Sequence, residues 1–415
     1  MNSHFFLLGG TTNPERLSWL EGLLKFFFVK IAPESLLHHA KKGEAIFTIF
    51  VTGDALYSLH DPETLLLWDI ILSLPSVKII CDRLEMDMRG LSVEPLKMKY
   101  MDQLVDHNSL ALNGKLSFWK DVMKLARQNE QPVPSTVGYL QLESPYMHRS
   151  SLNALRCLNA ALEVHSSVEL YAYLDGVHLG HTGQNPTENE NIGVGLEGLS
   201  ERLTKLGLQC QMIACSRCAT ARGYSTWDDG QGAVISTCAI KPYRIRDMNA
   251  IVDQFKRNHI ILGENSASLL IRHEGTAPLH GRADKSGQSP PITIFITKNP
   301  YGTEYTHGAL SLASACAHHG IATKVIFIED GVYALSGTHE IDPEAKIFNV
   351  QEVIDVIAGN EKLQMYGYTP SLQKRNVAKN RKLTAVLDIG IQELGQLLFT
   401  QPSGVLAEHQ RVFFF

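Results

Sequence analysis

Short runs of four to eight apolar residues recur along the chain, at 45–52, 168–174, 211–214, 292–295 and 324–329, divided by longer stretches with polar positions interspersed. Runs this short, without alternation, predict strands buried on both faces rather than helices. The stretches between them carry helical spacing, so the alternation predicts βαβ units around parallel sheets. Several strands end the same way. Leu174-Asp175-Gly176-Val177-His178 closes one and Asp330-Gly331-Val332-Tyr333 another, with Pro186 and Pro343 following. A weaker version, Gly53-Asp54-Ala55-Leu56-Tyr57 and then Pro62, follows 45–52.

Self-similarity strengthens the reading of a repeated unit. The stretch from Pro95 to Asp106 matches the stretch from Pro242 to Asp253 without a gap. Upstream lie Arg89-Gly90 and Arg222-Gly223, and before those Cys81-Asp82-Arg83 and Cys215-Ser216-Arg217. Three units follow, at 1–128, 136–262 and 290–415, with polar, Pro-punctuated linkers at 128–135 and 263–289. Each is long enough to bury its own core.

Net charge is -5, from 38 Lys+Arg against 43 Asp+Glu, so a fold-wide basic surface is not indicated, a local basic patch stays open, and nucleic acid is expected only as an indirect partner. No apolar run reaches the roughly 18 residues of a membrane span, and Met1-Asn2-Ser3-His4 lacks a basic leader. Seven cysteines, an odd count, fit a reducing cytoplasm better than a secreted disulfide framework. Gly9-Gly10 is too short for a dinucleotide loop, and no cofactor is expected.

The chemistry concentrates in one segment. Gln211-Met212-Ile213-Ala214 reads as a strand, Cys215 to Ala221 opens a short helix, and Gly223 stops it. Cys215 then sits at the carboxyl end of a parallel strand, where open α/β sheets place their ligands. Backbone N–H groups there, with Arg217 and Arg222, favour a thiolate, the species that attacks sulfur. The Cys215-x-x-Cys218 spacing alone leaves a zinc site, a redox dithiol or two core cysteines open. Zinc lacks a second ligand pair, and the dithiol lacks thioredoxin-type flanks.

Cys215-Ser216-Arg217-Cys218-Ala219-Thr220-Ala221-Arg222-Gly223 resembles the active loop of the DsrE/DsrF-like family of Tus/Dsr sulfur-relay proteins. Members carry a cysteine eight residues before the Gly of an Arg-Gly pair, and Cys215 lies eight before Gly223. The third unit is similar to the DsrF/TusC branch in Ile292-Thr293-Ile294-Phe295, Pro300-Tyr301-Gly302-Thr303, Asp330-Gly331-Val332 and its terminal Phe415. The resemblance implies three fused flavodoxin-like α/β units and a sulfur carrier with Cys215 as persulfide site, Cys218 and Arg222 assisting. It also implies sulfur donor and acceptor proteins as partners, a homodimer of six lobes, and a role in tRNA thiolation or sulfur oxidation. A non-catalytic scaffold and a Cys215/Cys218 dithiol oxidoreductase are the alternatives.

The other two units depart from the pattern. In the third, Tyr368 takes the cysteine's place and Asn376 the glycine's. In the first, Cys81 lies nine residues before Gly90, and Glu85 and Asp87 would raise its pKa. Cys157, Cys210, Cys238 and Cys316 read as small core residues. His178 and His181 flank the Asp175 turn and could protonate a leaving thiolate. Tyr224 and Trp227 could cover the loop. Lys97, Lys99, Arg244 and Arg246 read as solvated strand faces or a docking stripe, and the stretch from His273 to His280 as part of a linker.

Overall fold

The structure is a computed structural model that describes residues 4–33, 45–74, 76–100, 103–107, 117–128, 136–186, 190–224, 227–228, 233–257, 260–273, 289–342, 344, 347–401 and 409–415. The chain divides into two compact units, 1–17 with 36–268, and 18–35 with 269–415.

The first stretch runs β1 (His4–Leu8), α1 (Pro14–Phe26), β2 (Phe47–Val51), α2 (Pro62–Ser73), β3 (Val77–Asp82), α3 (Arg83–Arg89), α4 (Glu94–Lys99), β4 (Leu104–His107) and α5 (Ser117–Gln128). The second runs β5 (Thr136–Gln141), α6 (Ser150–Glu163), β6 (Ser167–Ala172), α7 (Ile192–Lys205), β7 (Cys210–Cys215), α8 (Ser216–Ala221), β8 (Trp227–Asp228), β9 (Ala233–Ile235), β10 (Tyr243–Arg246), α9 (Met248–Arg257) and β11 (Ile260–Gly263). β12 (Asn265–Leu270) and β13 (Arg272–His273) follow. The last stretch runs β14 (Ile292–Ile296), α10 (Tyr305–His318), β15 (Thr323–Phe327), α11 (Val350–Ile357), β16 (Leu363–Tyr368), α12 (Thr369–Lys374), β17 (Val386–Ile389), α13 (Ile391–Phe399), β18 (Thr400–Gln401) and β19 (His409–Phe414).

The first unit holds two sheets. In one, β1 to β4 lie side by side and parallel, and β12 pairs antiparallel with β1. In the other, β11, β5, β6, β7 and β10 are parallel neighbours, and β9 and β8 continue the edge antiparallel. The second unit repeats the parallel order as β19, β14, β15, β16 and β17. The central strands, such as Phe47–Val51 and Ile292–Ile296, are buried at every position, as helices over both faces require. Aromatic packing fills the layers: Phe50 meets Phe118 edge-on at 5.7 Å, Tyr171 meets Phe255 at 4.9 Å, and Phe295 stacks on Phe414 at 5.0 Å.

Each stretch has a 3-10 helix after its second strand, at Gly53–Leu59, Leu174–Gly180 and Glu329–Leu335. Each begins with a left-handed residue, Gly53 at φ 55°, Leu174 at 52° and Glu329 at 53°. The turn is tight. A Cβ on Gly176 would lie 2.2 Å from the Gln141 carbonyl oxygen, and one on Gly331 1.9 Å from that of Ile296.

Two expectations are corrected. The 95–106 and 242–253 stretches are not equivalent: Lys97 and Lys99 lie in helix α4, whereas Arg244 and Arg246 lie in strand β10. A proline suits both the first turn of a helix and the turn before a strand, so the match in residue types carries no common geometry. The segment 263–289 does not open as a linker either, because Asn265–Leu270 forms a strand whose first residues complete the first sheet. Residues 129–135 and 274–288, the rest of the two expected linkers and most of the His273–His280 stretch, lie outside the described residues.

Candidate functional site

Strand β7 delivers Cys215 to the carboxyl edge of its sheet, and the same residue is the N-cap of α8, with extended φ -64° and ψ 120°. Caps at this position are ordinarily Ser, Thr, Asp or Asn, whose oxygens meet the free amides of the first turn. Here a sulfur stands there instead. The Cys218 thiol, as donor to Cys215, does most to favour the thiolate; burial opposes it; the amides of Cys218 and Arg217 and the Arg217 charge add to it. The net effect lowers the Cys215 pKa to about 7. Cys218 is held protonated, raised well above its ordinary value by the Cys215 thiolate and then by burial. Both thiols are free and buried, and no cluster of three or more metal-ligating side chains occurs among the described residues.

Strand register aligns this edge with its counterparts. Ala172 pairs with Ala214, Val51 with Cys81 and Phe327 with Gly367, so the next residues, Cys215, Asp82 and Tyr368, occupy one position in three frames. Each is the N-cap of the short helix that follows. Cys81 is therefore not the counterpart of Cys215. It matches Ala214, is fully buried, and has its pKa pushed far up by burial and then by Asp106 and Asp82. The true counterpart, Asp82, is also buried; its carboxylate accepts from Thr52 Oγ1 at 3.0 Å and from the Glu85 amide at 3.4 Å. Three residues on, Cys218 corresponds to Glu85 and Ser371. The Leu174 amide faces the Cys218 sulfur, and the equivalent Glu329 amide donates to Ser371 Oγ at 3.0 Å.

Arg222 donates through Nε to Asp175 Oδ1 at 2.6 Å and through Nη1 to the Cys218 carbonyl at 3.3 Å. The same bridge joins Arg89 to Asp54 at 3.0 Å and Arg375 to Asp330 at 2.8 Å. It persists in two frames that carry no thiol at the cap, so its first task is to tie the 3-10 helix to the short helix. The residue after each arginine is left-handed: Gly90, Gly223 and Asn376 have φ 65°, 82° and 50°. Asn, among the non-glycine residues best able to adopt this conformation, serves where the sequence pattern expected Gly.

His178 and Tyr224 are specific to the thiol frame. Tyr57 and Tyr333 stand where His178 does, and Leu91 and Val377 where Tyr224 does. His178 Nδ1 lies 3.1 Å from Tyr224 Oη, and the His181 ring meets Tyr224 edge-on at 5.6 Å. Burial, then Arg222, lowers the His178 pKa, so the ring is neutral at neutral pH. Tyr224 is buried, which raises its pKa. Beside them opens a cavity of about 630 Å³, lined by the loop after β5, the end of the 3-10 helix and the start of α7.

A sequence model of the DsrE/DsrF-like family matches residues 135–250 and 291–403, more than half of the chain. The chain belongs to the DsrE/DsrF-like family. The first match spans β5 to the start of α9 and contains the whole Cys215 edge; the second spans the frame with Tyr368. The two matches thus fall between residues 135 and 403, while 1–134 lie outside them. The chain is also 37% identical over 95 residues to an uncharacterized protein of Methanopyrus kandleri, covering 23% of this chain and 74% of that one. Membership in the family points to a sulfur-relay role with sulfur-relay partners. No helix among the described residues is long and apolar enough to cross a membrane.

The remaining candidates of this DsrE-like chain fall into place as follows. Cys157 and Cys316 are core residues, whereas Cys210 is half-buried and Cys238 is exposed in a turn. Lys97 pairs with Asp106 at 2.6 Å and Lys99 with Asp69 at 2.7 Å, so these two serve local ion pairs. Arg246 abuts Cys215 across the β7–β10 ladder, a neighbour that sequence spacing could not reveal. The Trp227 side chain lies outside the described residues. The sequence showed Glu85 only as a charge near Cys81, because its partners are distant in the chain. It is fully buried and accepts from Arg156 Nη1 at 2.6 Å, from Arg149 Nε at 3.1 Å and from Arg89.

Proposed function

We propose that the protein is a sulfur carrier of a relay, with Cys215 as its persulfide site. The observation that supports this is the thiolate-favouring cap position of Cys215, which in the other two frames holds Asp82 and Tyr368. The Cys215 thiolate attacks the outer sulfur of a donor persulfide. A bond forms from Cys215 Sγ to that sulfur, the donor's S–S bond breaks, and the donor departs as a thiolate. The proton stays on the transferred sulfur. An acceptor thiolate then attacks the same sulfur, and Cys215 leaves as the stabilised thiolate. A low thiol pKa serves this second step directly, because a more acidic thiol is the better leaving group.

In this reading 1–128, 136–262 and 290–415 are three fused DsrE-like repeats, the first and third acting as structural partners. The carrier works in the cytoplasm, as a homodimer of six lobes, feeding tRNA thiolation or sulfur oxidation through its acceptor. A dithiol oxidoreductase is the second reading, favoured by the Cys218 thiol that faces Cys215. Mass spectrometry after incubation with a cysteine desulfurase and cysteine separates them. The carrier gains one sulfur on the Cys215 peptide, loses that gain in Cys215→Ser, and keeps it in Cys81→Ser and Cys218→Ala. Absence of added sulfur on a folded, reduced protein refutes the carrier, and loss of all turnover in Cys218→Ala with a Cys215–Cys218 disulfide in the parent supports the oxidoreductase.

A further inference from the structure

The cavity bordered by His178 and His181 has the size of a small-ligand site. Its rim is braced. Tyr146, held at φ 69°, donates through Oη to Gln184 Oε1 at 2.7 Å and accepts from the Ile192 amide at 3.0 Å. A non-glycine residue kept in that conformation is a cost that surrounding contacts must sustain, and such residues cluster at binding sites. The cavity shares a wall with the sulfur chemistry: His178 lines it, and Leu174, whose amide faces the Cys218 sulfur, starts the same 3-10 helix. Four residues at the 3-10 rise place the two about 8 Å apart along that helix.

The lining carries fixed donors. His181 Nδ1 accepts the Gly183 amide at 2.9 Å, which leaves Nε2 as the ring's donor. Arg149, which also lines the cavity, is clamped by Glu85, whose two oxygens each lie 3.1 Å from its Nε, and its Nη2 lies 3.3 Å from Met88 Sδ. That cluster places the guanidiniums of Arg89, Arg149 and Arg156 against the carboxylates of Glu85 and Asp54, and Glu190 adds a carboxylate to the cavity lining. The first frame, which has a carboxylate where the carrier has a thiol, thereby orients a cation in the wall of the second frame's cavity.

We propose that this cavity binds a small thiol bearing a carboxylate, with the carboxylate toward Arg149 and the thiol toward the Cys215 edge, and that this thiol accepts the carried sulfur. Its thiolate attacks the outer sulfur of the Cys215 persulfide, the Cys215 S–S bond breaks, and Cys215 is released as a thiolate. The proton remains on the transferred sulfur, now in a small-molecule persulfide. The transfer rests on Cys215 being the carrier; the binding does not.

Glutathione is a suitable probe of this class, and S-methylglutathione separates binding from chemistry because it has no thiol to exchange. Calorimetric titration of S-methylglutathione into the full-length protein is expected to show one site, unchanged in Cys215→Ser. Affinity should fall about tenfold in Met147→Trp, which adds bulk at an exposed rim position, and several-fold in Arg149→Met. No binding at millimolar concentration, or binding indifferent to both variants, overturns the proposal. With Cys215 loaded, the rate of glutathione persulfide formation should saturate and slow in the same variants. A rate linear in glutathione and unaffected by them, or saturation only by a cysteine-bearing peptide, rejects the small thiol as acceptor. Failure of Cys215 to load refutes the carrier instead, and the titration still decides the cavity.

Discussion

Replacing Cys218 by alanine tests the electrostatics of the site most directly. The Cys215 pKa falls from 9.0 to about 7 although burial pushes it the other way, and the Cys218 thiol is the largest cause. Two units correspond to about 3 kcal/mol favouring the thiolate. Without the Cys218 donor, burial faces only the two amides and the Arg217 charge, so the midpoint should rise by at least about one unit. The thiolate fraction at pH 7 then drops from about one half to under about one tenth. The assay is the pH dependence of alkylation of the Cys215 peptide, read by mass spectrometry over pH 5–10. Comparing rates with the exposed Cys238 would mislead, because Cys215 is only 3% exposed and access differs. The midpoint does not depend on access. It should lie near 7 in the parent, shift up in Cys218→Ala, and stay low in Cys218→Ser, whose hydroxyl still donates. A midpoint near 7 in Cys218→Ala would refute the assignment of that donor.

The same shift gives Cys215 a stabilising contribution that is complete above its ordinary value of 9.0 and is lost as pH falls through 7, while the buried thiols with raised pKa, such as Cys81 and Cys157, oppose it toward pH 9; the difference in melting temperature between the parent and Cys215→Ser should therefore grow with pH between 6 and 8. Arg222→Ala and Arg375→Ala should each cost about 1 kcal/mol, the value of a partly exposed ion pair, and Arg222→Ala should retain sulfur loading; equal melting losses with loading abolished would restore a chemical role to Arg222. Glu85→Gln leaves three guanidiniums without their shared buried carboxylate and should cost about 3–5 kcal/mol by urea unfolding. Burial alone would raise the Glu85 pKa, but Arg149, Arg156 and Arg89 bring it below its ordinary 4.5, so its stabilisation is complete above that value and is lost as the pH falls; the variant should lack this acid-sensitive component. Gly176→Ala brings a Cβ to 2.2 Å from a backbone oxygen that cannot yield cheaply, and a loss of about 3 kcal/mol or more in melting is expected.

What the sequence made legible follows from how local each signal is. Strands buried on both faces must be apolar throughout, so 45–52, 168–174 and 324–329 announced themselves. The Cys215 edge was legible because cap, short helix and left-handed stop all lie within nine residues. The failures are matters of register and distance. Cys81 attracted attention because it is a cysteine, yet alternation along a strand turns it into the core and leaves Asp82 at the cap. The match of 95–106 with 242–253 compared a helix with a strand. The pairing of β12 with β1 and the contacts of Glu85 with Arg149 and Arg156 join residues more than sixty positions apart, and no local pattern encodes them.

The three frames also separate scaffold from chemistry in a way one frame could not. Left-handed entry to the 3-10 helix, the Asp–Arg bridge and the left-handed stop occur in all three, whereas the cap residue and the residue three positions on differ each time. The frame is thus a neutral holder whose output is set by two positions: an ionisable thiol over a protonated one, two buried carboxylates, or Tyr368 over a hydroxyl that accepts a backbone amide. Carboxylates at those positions require cations, and α6 with the residue before it supplies them through Arg149 and Arg156, laid against the edge of the first frame. That edge is consequently closed by the chain itself. Carrying Asp82 and Glu85 where the second frame carries thiols therefore makes this edge an internal contact, and Arg149, one of the two side chains that seal it, also lines the cavity that His178 borders.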